Sequence, residues 1–178
     1  MLARASILTA LQGVPPPSPD PLPDYLAAPG ACFVTLNRAN GQLRGCIGSL
    51  EAYRPLIDDL IHNARAAAFE DPRFPPVRQD ELASLYIHVS VLEPAEELYF
   101  QNEKELLDQI QPGIHGVIIQ SGWHRATFLP SVWEQLPEPK EFLAALKLKA
   151  GIRDHEIGMP LRAWRYRVSE HGETTQSS

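Results

Sequence analysis

The stretch LRGCIG, Leu43 to Gly48, sets a guanidinium and a thiol two positions apart, between glycines, in an otherwise apolar run. In a strand, alternate side chains share a face. Arg44, Cys46 and Gly48 then fall on one side, and Leu43, Gly45 and Ile47 on the other. The second set reads as core. On the first, a neighbouring cation favours thiolate and lowers a cysteine pKa. Glycine weakens a strand, so Gly45 and Gly48 imply close approach of a ligand or of another backbone. The chemistry this allows is a nucleophilic or covalent-carrier Cys46, with Arg44 as its charge partner. The plainer alternative is a buried Cys46 acting as a small hydrophobe, with Arg44 paired to an acid such as Asp71.

A cysteine nucleophile usually needs a base. His62, His88 and His124 are the candidates, and each also reads as a boundary or surface residue. The chain has no His-x-His, His-x-x-x-His or Cys-x-x-Cys, so no metal site is expected and no motif names a cofactor. The segment DPRFPPV is the second unusual stretch. Asp71 can cap its own backbone or pair with Arg73, and the prolines stiffen the loop. It reads either as a wall of a binding cleft or as a corner that packs Phe74 into the core. Arg73 and Arg125 join Arg44 as candidate anion holders, because guanidinium forks suit carboxylate and phosphate.

These residues need elements to place them. The sequence predicts a short helix over 1–12, with Ile7, Leu8 and Leu11 as its stripe. VPPPSPDPLP puts six prolines between Pro15 and Pro23, so residues 13–24 read as an extended connector. Cys32–Leu36 and Leu43–Ile47 read as a hairpin around Asn40-Gly41. A two-residue loop there sets Thr35 against Cys46 and Ser49 against Cys32, on opposite faces of the ladder. A helix follows, with Leu56, Leu60, Ile61, Ala64 and Ala68 on one face and Pro55 in its first turn. LYIHVSVL reads as a strand. Asn102 and Glu105 have capping-box spacing before a helix to Ile110, and Ser131 and Glu134 repeat it. GVIIQSGWHRATFL reads as a second hairpin, KEFLAALKLKAG as a helix stopped by Gly151, and AWRYRV as a strand with Trp164, Tyr166 and Val168 on one side. Residues 169–178 read as a flexible tail. GQLRGCI from Gly41 and GWHRATF from Gly122 echo each other. The echo fits duplication of a strand-hairpin-helix unit, and it also fits shared hairpin chemistry.

The bulk numbers bound the function. The chain has 178 residues, 44% apolar and 21% charged, with a formal charge of −6. That balance is ordinary for a globular protein and argues against a surface that tracks nucleic-acid phosphates. No run approaches the length of a membrane helix, and the N-terminal segment lacks the apolar stretch and cleavage site of a signal peptide. Two cysteines are too few for a disulfide scaffold. Reduced thiols in the cytoplasm are expected.

Together, CFVTLNRANGQLRGCIGSLE, AFEDPRFPPV, HVSVLEP, GIHGVIIQSGWHRATFLPSVWEQL and FLAALKLKAG resemble, in order and spacing, the AMMECR-type domain. Its bacterial and archaeal members are called AmmeMemoRadiSam system protein A. The resemblance covers about Ile7 to Val168 within a single domain of residues 1–178. It implies an α+β fold with a mixed or antiparallel sheet and flanking helices, in two lobes, with an internal repeat. It also implies a place in a three-part system, beside a Memo-like protein and a radical S-adenosylmethionine enzyme, as partners in a modification pathway. It transfers no catalytic residue. The positions matching its hallmark blocks are Leu43–Gly48, Asp71, Arg73, Phe74 and Thr127–Pro130. The chain departs from the family at His88, where an acid is frequent, and at IRDHEIG, where a Trp is frequent. Two functions fit. One is an enzyme component or accessory subunit using the LRGCIG cleft, with Cys46 catalytic and Arg44, Gly45, Gly48, Asp71, Arg73 and Arg125 around the substrate. The other is a non-catalytic binding or scaffold module in which LRGCIG is structural.

Overall fold

A computed structural model describes residues 1–153 and 160–173. Its elements are α1 (Leu2–Leu11), α2 (Asp24–Ala27), β1 (Ala31–Asn37), β2 (Leu43–Gly48), α3 (Leu56–Phe69), α4 (Gln79–Leu82), β3 (Tyr86–Leu92) and β4 (Glu96–Leu98). There follow α5 (Glu103–Asp108), β5 (Gly116–Ser121), β6 (His124–Phe128), a 3-10 turn (Pro130–Glu134), α6 (Pro139–Ala150), β7 (Arg162–Tyr166) and β8 (Val168–Gly172). The strands form two antiparallel four-stranded sheets, ordered β2-β1-β3-β8 and β4-β7-β5-β6. The fold is α+β, and the sheets are antiparallel rather than mixed.

The chain divides into two units, Met1–Leu92 with the segment from Ser169, and Glu93–Val168. Each contains a hairpin, a helix and a third strand that returns beside the first. In unit 1 these are β1, β2, α3 and β3; in unit 2 they are β5, β6, α6 and β7. The sequence echo therefore lies at the same place in two copies of one topology. The outer strand of each sheet comes from elsewhere in the chain: β8 follows β7 yet joins β3, and β4 follows β3 yet joins β7.

Unit 1 closes its core on one face of its sheet. Cys32, Val34 and Leu36 of β1 and Ile87 and Val89 of β3 meet Leu56, Leu60, Ala64 and Ala68 of α3 and Ile7 of α1. Two polar residues interrupt the buried face of α3. Asp59, fully buried, accepts from the Cys32 amide at 2.9 Å, Ser49 Oγ at 2.6 Å and Asn63 Nδ2 at 2.9 Å, and Arg54 Nε donates to it at 2.8 Å. These bonds fasten the start of the helix to the ends of β1 and β2 and satisfy the carboxylate, as burial requires. In unit 2 the core gathers Val117, Ile119, Ala126, Leu143, Leu146 and Ala163 around Phe142, whose ring stacks on Trp133 at 3.6 Å.

Several expectations are corrected. AWRYRV is not one strand: β7 ends at Tyr166 and Val168 opens β8 in the other sheet. The expected tail is strand through Gly172, and Glu173 is pinned by Arg4 Nε at 2.7 Å; residues 174–178 lie outside the described residues. Asn102 caps its helix, accepting from the Glu105 amide at 3.0 Å. Ser131 does not hold the N-cap position, because Pro130 starts a 3-10 turn one residue earlier and Leu129 precedes it. The short α2, α4 and β4 carry too few residues to show a period. Residues 154–158 of the IRDHEIG departure lie outside the described residues.

Candidate functional site

The site is built on β2, an edge strand. Its register with β1 sets Thr35 against Cys46 and Leu36 against Gly45, then slips so that Asn37 meets Leu43. Arg44 is the extra residue of a bulge. The hairpin loop runs through Ala39, Asn40 and Gly41, closed by the Arg38 amide on Gln42 O at 2.8 Å, with Gly41 at φ +82. The expected two-residue loop is one residue too short, and the bulge restores the expected pairing at Cys46. Cys32 and Cys46 consequently lie on opposite faces of the sheet.

The bulge corrects the expected neighbour of the thiol, because a bulge takes its residue out of the alternation and re-aims it. Arg44 is 2% exposed. Its Nε and Nη2 fork onto Glu81 at 2.5 and 3.0 Å, and Nη2 also donates to Pro75 O at 2.9 Å. Nη1 is buried with no hydrogen-bond partner. This fork holds the Glu81 carboxyl below the usual carboxylate range. Arg44 thus answers to Glu81, not to Asp71 or the thiol. The two glycines are also spoken for. A Cβ at Gly45 would sit 2.1 Å from Ala67 O of α3, and one at Gly48 would sit 2.2 Å from the Phe33 ring. The approaching groups are a helix backbone and an aromatic ring, and the room expected for a ligand is filled.

Cys46 faces away from α3, half-buried, with Sγ 3.2 Å from Thr35 Oγ1. Its own N–H and C=O point off the edge of the sheet, where the DPRF loop receives them. Asp71 Oδ2 accepts from the Cys46 amide at 2.9 Å, and Arg73 Nη2 donates to Cys46 O at 3.3 Å. The two loop side chains hold each other, Nε to Oδ1 at 2.9 Å and Nη2 to Oδ2 at 2.7 Å. The Arg73 fork keeps the buried Asp71 carboxyl far below its ordinary pKa. The loop therefore caps an exposed strand edge, a place that would otherwise invite pairing. The guanidinium beside Cys46 belongs to Arg73. Phe74 does not enter the core; it lies half-buried with Arg44 and Arg73 near its ring, and Val77 supplies the core contact.

The expected bases each have surroundings of their own. His62 is exposed on α3. His88 pairs with Thr35 across the sheet, but its ring leans over Gly172 of β8, where a Cβ would come within 2.4 Å of Nδ1. His124 belongs to unit 2, with Nδ1 3.1 Å from Ala150 O. Arg125 is also in unit 2, over the Trp164 ring at 5.9 Å, while Arg44, Gly45, Cys46, Gly48, Asp71 and Arg73 come together around β2. Cys32 is fully buried, and burial with the Asp59 charge pushes its thiol up to about 12. Among the described residues, no group of three or more His, Cys, Asp or Glu is arranged to hold a metal ion, and no helix is long and apolar enough to cross a membrane.

Sequence reasoning set Thr35 opposite the thiol and missed Glu81 as a partner of Arg44. The hairpin register contained the first. The second lies 37 residues away, with no local signal.

Residues 1–171 match the AMMECR1 family. The chain belongs to the AMMECR1 family. Among its relatives, a protein of Methanothermobacter thermautotrophicus is 43% identical over 135 residues, spanning 75% of this chain and 70% of that one. Protein NEQ441 of Nanoarchaeum equitans is 39% identical over 152 residues, spanning 85% and 84%. The crystal structure of the uncharacterized protein PH0010 from Pyrococcus horikoshii is similar with a TM-score of 0.85 and 34% identity, covering 97% of this chain and 88% of that one. The AMMECR1 match takes in both units, so the doubled topology lies within one family domain.

Proposed function

We propose that this AMMECR1-family protein is a component of a modification pathway, working in the cytoplasm beside a Memo-like protein and a radical S-adenosylmethionine enzyme. We further propose that the Cys46 end of LRGCIG, with the Asp71–Phe74 loop, is the part that meets its substrate. The pathway placement is what the family resemblance implies. One observation carries the site: Asp71 and Arg73 clamp the backbone of the half-buried Cys46 on both its amide and its carbonyl, and Sγ lies beside one hydroxyl. A rigid backbone under a reachable thiol suits a group that must be presented in one geometry. In this reading Cys46 is the nucleophile or covalent carrier. Arg73, whose side chain is 54% exposed, offers its remaining donors to a carboxylate or phosphate. Arg44, Gly45 and Gly48 hold the strand in place.

A second reading, a non-catalytic binding module, is favoured by those same three residues, each of which serves packing. Iodoacetamide labelling of Cys46 across pH, in a Cys32→Ser background, separates the two. Rapid labelling of the folded protein, with a midpoint well below the ordinary thiol value of about 8.5, supports the thiol site. Labelling only on unfolding overturns it. Co-purification with the two companions at low and moderate salt tests the pathway placement, and recovery of neither at both salts removes it.

A further inference from the structure

The face of the unit 1 sheet opposite Cys46 carries a cavity of about 510 Å³. Its floor is Val89 and Val91 of β3, and its walls include Leu26 of α2 and Leu56 and Leu60 of α3. It exists because α3 lies on β1 and β2 and α1 packs mainly on α3, which leaves the β3–β8 side thinly covered. No Asp, Glu, Lys or Arg side chain lines it. The nearby charged side chains pair elsewhere, Glu173 and Arg4 forking onto each other and Glu170 accepting from Ser90 Oγ at 2.7 Å on the other face, while Met1, which carries the α-amino group, is among the lining residues. The polar lining side chains are Tyr25 on α2 and Ser169 and His171 on β8, and all three are exposed. Ser169 and His171 stand two apart on one strand and so share a face.

An apolar interior of this size with a few polar groups at its mouth is the usual form of a small-molecule site. The three polar groups can all donate: two hydroxyls and an imidazole N–H. We infer that the cavity binds a small amphiphile, with an aliphatic body over Val89 and Val91 and an acceptor head, a carboxylate, at Tyr25, Ser169 and His171. This site lies on the opposite face of the sheet from Cys46 and does not depend on the proposed function.

The test is a titration of the full chain, carrying labelled Leu and Val methyls, with decanoate, and with decylamine as a head-group control. The expected result is saturable shifts at Leu26, Leu60, Val89 and Val91 with decanoate, with weaker or no binding of the amine. Replacing either Ser169 or His171 by Ala should weaken decanoate about tenfold, the loss of roughly one hydrogen bond to a charged group. Val91→Trp should abolish binding by filling the cavity. Absence of saturable shifts at those methyls up to millimolar decanoate overturns the inference. So does equal binding of decylamine, or unchanged binding in a folded Val91→Trp variant. The wild-type methyl map decides the matter even where that variant does not fold.

Discussion

Breaking the Arg44–Glu81 pair from either side should give unequal penalties, and the less exposed partner dictates which is larger. Arg44 is 2% exposed at its side chain and Glu81 27%. Replacing Glu81 by Leu strands a guanidinium that water cannot reach. Leaving a buried charge uncompensated in this way costs about 3–5 kcal/mol. Replacing Arg44 by Met strands a carboxylate that water can reach, and also removes the donor to Pro75 O. That loss is of the order of 2–3 kcal/mol. The double variant leaves neither charge and removes the buried, unpartnered Nη1. Apolar replacement of a buried pair is often close to neutral, and the double still lacks the donor to Pro75 O, so it should lie within about 1–2 kcal/mol of the parent. Urea unfolding followed by far-UV circular dichroism measures all three variants, and the non-additivity should be several kcal/mol. If the two single changes add, or if Arg44→Met costs more than Glu81→Leu, then Arg44 has a stronger partner than Glu81 and the structural role assigned to it is wrong.

Other consequences are more local. Gly45→Ala should destabilise by about 1–3 kcal/mol or more, because the new Cβ meets a helix carbonyl that cannot swing away. Gly48→Ala should cost less, since the Phe33 ring can turn, and the two midpoints in urea give the comparison. Asp71 and Glu81 both have folded pKa values held below the unfolded ones. Their stabilisation is present above about pH 4 and is lost as pH falls through the folded values. Melting temperatures between pH 5 and pH 2 should therefore fall, and Asp71→Asn should flatten that slope; an unchanged slope contradicts the clamp. Cys32, buried with its thiol pushed up to about 12, should stay unlabelled by iodoacetamide at pH 8 until urea unfolds the protein. Native-state labelling that survives Cys46→Ser would count against that burial.

Local chemistry made most of the fold legible. Proline runs marked the connector, apolar spacing marked α3, and Asn102 with Glu105 marked a helix start. The hairpin loop is one residue longer than Asn40-Gly41 alone predicts, and the compensating bulge at Arg44 preserves the Cys46 pairing while sending Arg44 elsewhere. No pattern in LRGCIG announces a bulge; it follows from Gly45 having to lie against Ala67 O while Leu36 stays in the core. The signal passed over in the sequence was Asp59 with Asn63, an i, i+4 polar pair inside the apolar stripe of α3. Such a pair needs buried partners, and the ends of β1 and β2 provide them.

The doubled topology supplies its own control for the role of Cys46. Thr127 of β6 holds the corresponding place: five residues after a turn glycine, opposite a central-strand residue in the same register. The edge carbonyl is capped in both units by a cation that follows the helix or ends it, Arg73 on Cys46 O and Lys149 Nζ on Thr127 O at 2.9 Å. The side chains are treated differently. Thr127 is 6% exposed, donates to Val117 O at 2.9 Å and meets Tyr166 Oη at 3.0 Å. Tyr166 can cover it because Gly116 beside it has no side chain. In unit 1 the matching strand positions are exchanged. Phe33 stands where Gly116 stands and lies over Gly48, and Ser90 stands where Tyr166 stands and turns to Glu170. The aromatic lid that seals the hydroxyl in unit 2 is therefore shifted off the thiol in unit 1. A strand that only needed filling could have kept the sealed arrangement, which the same topology demonstrably supports. Installing it, with Phe33→Gly and Ser90→Tyr together, should bury Cys46 and slow its alkylation at least tenfold in folded protein. An unchanged rate would mean that the missing lid does not control access to the thiol.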